Sequence, residues 1–241
     1  MQKIKAIVIK ASDRKEKDKN ILLFSLEEGK IWATLKGVKS PNAKMKIAQN
    51  PFCFGEYILE EGKAGKIVTS FEAIETFHEI SEDVDKYFEG TSILEILNAV
   101  EISNEAERVK LFMLAIKALK SLCFDNNQNL CVLNKFLLSL FEILGTPIVT
   151  GKCSCCGNKT FDKIYIDYST GELVCTNCVK FGCEELAKTT YAALKILQQT
   201  DFDQLKTLKL AEGSPLGLLR VLVRNFENRY DRNLHLVGIL S

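Results

Sequence analysis

The 241-residue sequence predicts an α+β protein: a small five-stranded β-barrel, then a helical bundle domain carrying an inserted four-cysteine module. Short β-branched runs separated by turn signals fill the first 80 or so residues, apolar residues at three- and four-residue steps follow, and six of the nine cysteines crowd into residues 153–183. The period of the apolar pattern changes from that of strands to that of helices near residue 80, which sets the expected boundary between domains 1–80 and 81–241.

The strands come first. Ile4–Lys10 is a β-branched run, and Asn20–Leu26 and Ile31–Lys36 form a hairpin about Glu27-Glu28-Gly29-Lys30. A polar link with Pro41 and Pro51 near its ends leads to a second pair, Phe52–Leu59 and Lys66–Phe71, turning at Gly62 and Gly65. Five strands with a longer link between the third and fourth fit a partly open barrel of the oligonucleotide-binding type, and an SH3-like barrel fits nearly as well.

Ser81-Glu82-Asp83 is a helix start, followed by a stripe at Ile93, Leu94, Ile96, Leu97 and Val100. Two more helices, around Leu111–Leu122 and Leu130–Leu144, are expected to pack with it, the segment Phe136–Phe141 lying centrally because it is apolar on nearly every side. Leu186–Leu197 and a helix opening at Ser214-Pro215 follow the cysteines, so the module, at about 148–185, interrupts the helical domain.

Cys153 and Cys156 form one pair with two residues between, Cys175 and Cys178 another, and 18 residues separate the pairs. This spacing lets two tight turns aim four sulfurs at one point, the arrangement of a closed, structural Zn²⁺ site. Gly157 supplies the positive φ such a turn needs, and Phe161–Asp167 with Gly171–Val174 reads as the hairpin carrying it. Cys155 and Cys183 are alternative ligands, and a redox dithiol is the competing chemistry. Cys53, Cys123 and Cys131 stand among apolar neighbours and read as core.

Charge is uneven. Residues 1–71 hold 14 Lys or Arg against 8 Asp or Glu, and residues 72–110 hold 3 against 11. Lys36, Lys39, Lys44 and Lys46, helped by Lys3, Lys5 and Arg14, form a candidate polyanion-binding set, with a solvated loop as the bland alternative. Trp32, Phe52, Phe54 and Tyr57 could stack bases only if they face outward; barrel core is the expectation for each. His78 and His235 accompany no nucleophile motif, and there is no Gly-rich phosphate loop, so no enzyme is expected. No run approaches membrane length and no export signal opens the chain, so a cytoplasmic location is expected, at the nucleoid if the polyanion is DNA.

Taken in order, Asp18–Phe24, Leu35-Lys-Gly-Val-Lys39, Asn50-Pro-Phe52, Phe136–Gly145 running into Pro147, and the two cysteine pairs resemble the RecO family of bacterial recombination mediators over nearly the whole chain. The resemblance implies single- and double-stranded DNA binding, strand annealing, and cooperation with RecR and the C-terminal tail of single-stranded DNA-binding protein (SSB) in loading recombinase at gaps. The tail would need an apolar groove beside a basic residue, for which Arg220 and Arg224 are candidates by charge. Two features depart from the family pattern: the link after Lys39 is poor in arginine, and Cys155 and Cys183 are extra. The alternative function is a zinc-ribbon scaffold that works by protein contacts alone, and a thiol enzyme is the third class.

Overall fold

The computed structural model describes residues 1–235 except 42, 103 and 161, and the chain divides into two compact units, 1–124 and 125–241. In the first, β1 (Gln2–Asp13), β2 (Lys19–Ser25), β3 (Gly29–Leu35), β4 (Phe54–Gly62) and β5 (Gly65–Glu75) close a barrel in the order β1-β2-β3-β5-β4. Every pairing is antiparallel except β3 with β5, which meet in parallel at Ala33–Lys66 and Thr34–Ile67 and close the barrel. This is the barrel topology expected of the oligonucleotide-binding type.

Alternation fills the interior. Ile4, Ala6 and Val8 of β1, Ile21 and Leu23 of β2, and Ile31, Ala33 and Leu35 of β3 point inward around Tyr57. A register shift between Val8 and Lys10 lets Ala11 return to the interior against Ile21. Phe52 does not open β4; it precedes the strand at φ 71°, fully buried, with its ring edge-on to Tyr87.

Two helices belong to this unit. α1 (Val84–Ala99) begins at Asp83, whose carboxylate accepts from the N–H groups of Asp85 and Lys86. α2 (Glu105–Phe124) lays Phe112 across the outside of the barrel, 6.0 Å from the Phe24 ring and 5.8 Å from Phe54. The covering explains why Ile21–Phe24 reads as a continuous apolar run: both faces of β2 are buried there.

In the second unit α3 (Cys131–Ile143) packs against α4 (Lys188–Gln199) and α5 (Ser214–Tyr230), so it groups with the later helices and not with α1 and α2 as expected. Its central position stands: Phe136, Leu137, Leu138, Leu140 and Phe141 are all buried. Two polar ties fix it. Asn134 donates to the Pro215 carbonyl at 2.8 Å, and the buried Lys135 ammonium donates at 3.1 Å to the Leu197 carbonyl in the last turn of α4. Burial pulls the Lys135 pKa down, and the carbonyl end of α4 is a favourable place for the charge.

Between α3 and α4 lies a three-stranded sheet, ordered β7-β6-β8, of β6 (Ile164–Asp167), β7 (Glu172–Cys175) and β8 (Cys183–Leu186). The hairpin is therefore present, Phe161 lying outside the described residues, but Leu186 ends a third strand where the pattern predicts helix. No helix among the described residues is long and apolar enough to cross a membrane.

Phe112→Ala should lower the stability of the first unit by about 3–5 kcal/mol, because it empties the contact between α2 and the barrel; a urea melt followed by Trp32 fluorescence measures this, and a change under 1 kcal/mol would show that α2 is dispensable to it.

Candidate functional site

Two sites can be built from the residues upward, one in each unit. On the barrel, residues that alternate with the core point outward, and successive outward residues of one strand stand about 7 Å apart. Trp32 of β3 is one of them, paired across to Leu22 and 50% exposed. Thr34, two residues on, lies opposite Asn20, accepts from the Arg14 guanidinium and donates to Asn20 at 3.2 Å. The β1–β2 loop is closed by Asp18, whose carbonyl accepts from Arg14 N–H and whose carboxylate accepts from Gly37 N–H at 2.8 Å, which sets Lys36 beside the loop. A groove of about 400 Å³ runs here, lined by Arg14, Lys15, Thr34, Lys36, Lys63 and Ile67 among others. Lys63 reaches it from the β4–β5 turn, which Gly65 makes possible at φ 102°.

The structure thus brings Arg14 and Lys36 together and adds Lys15 and Lys63. Lys15 lay in a mixed charged stretch and Lys63 at a glycine turn, signals that only the fold joins. Lys39 is close by in sequence to the groove but is paired with Asp13 at 2.9 Å, an interaction that holds the Asp13 carboxyl below its usual range. Lys44 and Lys46 are exposed on the link, outside the groove lining. Lys3 and Lys5 are exposed near the other end of β1, Lys3 paired with Glu56 at 2.7 Å. Of the four aromatic candidates, Tyr57 and Phe52 are core, Phe54 packs on Phe112, and Trp32 faces out.

In the second unit the sulfurs of Cys153, Cys156, Cys175 and Cys178 all lie within 4.8 Å of one another. A tetrahedron of sulfurs with Zn–S of about 2.3 Å has edges of about 3.8 Å, and Cys156 and Cys175 stand at 3.8 Å. The first knuckle is locked by Gly157 N–H donating to the Cys153 carbonyl at 2.9 Å, with Gly157 at φ 73° as its position predicts. Burial disfavours the Cys153 thiolate, but N–H groups of Cys156, Cys175 and Cys155 point at its sulfur and bring the thiol down to about 6. The four-cysteine cluster fits a metal such as Zn²⁺. Cys155 and Cys183 are not in the four-sulfur group; Cys155 is exposed, and Cys183 accepts from Lys180 N–H at 3.5 Å. Burial raises the Cys53 thiol to about 11 and the Cys123 thiol to about 12, as suits core residues.

These two sites stand on a chain with specific likenesses. The family described as Recombination protein O N terminal matches residues 1–77, and Recombination protein O C terminal matches residues 81–236. The chain belongs to the RecO family. Among similar proteins, each named DNA repair protein RecO, that of Clostridium novyi is 28% identical over 95% of this chain and 90% of its own. That of Clostridium perfringens is 29% identical over 98% and 96%, and that of a Thermoanaerobacter species 30% over 87% and 84%. The RecO pattern therefore spans both the barrel and the cysteine module.

Arg224, a candidate for a partner groove by charge, is engaged within its own unit: it pairs with Glu184 of β8 and lies 4.2 Å from the centre of the Tyr168 ring. Arg229 donates to the Thr170 carbonyl. Both residues fasten α5 to the cysteine module.

Metal content by mass spectrometry under native conditions separates the ligand sets. Cys155→Ser and Cys183→Ser should each retain one metal per chain, while Cys156→Ser should lose it; loss in Cys155→Ser would overturn the assignment.

Proposed function

We propose that this RecO-family protein is a non-enzymatic mediator that binds and anneals single-stranded DNA, also contacts duplex DNA, and acts with RecR and SSB in loading recombinase at gaps in the bacterial nucleoid. The observation that carries the reading is the groove on a barrel of this topology where Arg14, Lys15, Lys36 and Lys63 converge, with Trp32 an outward, half-exposed indole on β3, two residues before the groove-lining Thr34. A base stacked on an aromatic face contributes about 1–3 kcal/mol irrespective of sequence, and cations along the groove would neutralise the flanking phosphates. Lys44 and Lys46 extend this basic surface along the link. Lys3, Lys5 and Lys39 contribute less, since Lys3 and Lys39 must first leave Glu56 and Asp13. One structural Zn²⁺ on Cys153, Cys156, Cys175 and Cys178 braces the second unit; four thiolates leave it no open position for chemistry.

A scaffold reading without DNA contact draws on Phe181, which projects fully exposed from the loop after the second knuckle. Fluorescence anisotropy with a labelled single strand separates the two. Trp32→Ala should weaken binding by about 1–3 kcal/mol with an unchanged salt dependence, whereas Arg14→Glu with Lys36→Glu should weaken it and flatten the slope of log K against log salt by about 1.4. Absence of DNA binding by the unchanged protein would favour the scaffold, and binding that neither change affects would overturn the barrel groove as the DNA surface.

A further inference from the structure

A second basic surface lies in the second unit. Gly151, Lys159, Thr160, residues 162–164, the end of β8 and the first turns of α4 enclose a cleft of about 640 Å³ whose lining includes Lys159, Lys163, Lys188 and Lys195. Only two acids face it, Asp162 and Glu185, and Glu185 is held by Lys163 at 2.8 Å. Lys159, Lys188 and Lys195 form no ion pair among the described residues and are exposed. The other acids nearby are turned to different work: Glu184 holds Arg224, and the Asp167 carboxylate accepts from Ser169. The cleft is braced, since Tyr191 accepts from Gly151 N–H at 3.0 Å and the Lys195 ammonium lies 5.8 Å from the Tyr191 ring centre. The first turn of α4 adds no acid and no capping side chain to compete for an anion.

We infer that this cleft is a second binding site for the phosphate backbone of single-stranded DNA, used to hold the complementary strand during annealing. The inference rests on the proposed function, because annealing requires two strands to be held at once and the barrel groove accounts for one. An open, lysine-lined cleft whose aromatic residue, Tyr191, is partly buried and already engaged by Gly151 and Lys195 fits backbone contact without base reading.

The test uses the full-length, zinc-loaded chain in four forms: wild type; the cleft variant Lys159→Gln/Lys188→Gln/Lys195→Gln; the barrel variant Trp32→Ala/Arg14→Gln/Lys36→Gln; and both sets combined. The substituted residues are exposed, and metal content with circular dichroism confirms folding. The barrel variant should keep a weak, salt-sensitive affinity for labelled oligothymidylate that the combined variant loses. The cleft variant should anneal complementary oligonucleotides about tenfold more slowly or worse, with the salt slope reduced by about 2. Wild-type annealing by the cleft variant, together with equal binding by the barrel and combined variants, overturns the second site while leaving the barrel reading intact. Binding lost in the cleft variant but unchanged in the barrel variant does the reverse. A cleft variant that loses only affinity for polyglutamate would make the site one for an acidic protein and overturn the inference.

Discussion

Around the two knuckles the chain has little apolar core of its own: the buried cluster is Cys153, Val174 and Cys175, flanked by Tyr165, Cys178 and Cys183. Two adjacent turns and a sheet of four-residue strands cannot bury enough surface to hold themselves, so the convergence of four sulfurs is the constraint on which the inserted module depends. Once that point is fixed, Ser154 N–H can donate to the Leu173 carbonyl and β8 can add to β6, carrying the chain to the start of α4.

The module in turn is held to the helices by α5. Arg224 reaches Glu184 and the Tyr168 ring, Arg229 reaches the Thr170 carbonyl, and Lys135 with Asn134 ties α3 to both neighbours. These are charges and amides used for placement. A salt bridge as exposed as Arg224–Glu184 adds little stability by itself; its effect is to select one orientation of the module against α5.

The barrel has a different economy. Its interior is filled by alternation, and its outer surface is divided: Phe112 of α2 covers Phe24 and Phe54, while Trp32 and the β1–β2 loop stay exposed. Trp32 is half exposed whereas Phe24, Phe52 and Tyr57 of the same unit are buried, and this contrast gives the exposed indole its functional weight.

The sequence by itself determined the five strands, the helix stripes, the barrel-then-helix order and the cysteine pairs, because each depends on a period or spacing within a few residues of chain. It also foretold Gly157, since a knuckle turn is local. What it left open depended on contacts between distant segments. Closure by β3 and β5 decided the barrel topology, and the outward turn of Trp32 followed from the strand register. Burial by Phe112 made β2 apolar on both faces. Lys15 and Lys63 joined Arg14 and Lys36 only when two separate turns met at one groove, and β8, four residues long, was too short to show a period. The choice of Cys156 over Cys155 was likewise a matter of tertiary placement, because adjacent cysteines have the same composition and differ only in where their sulfurs point.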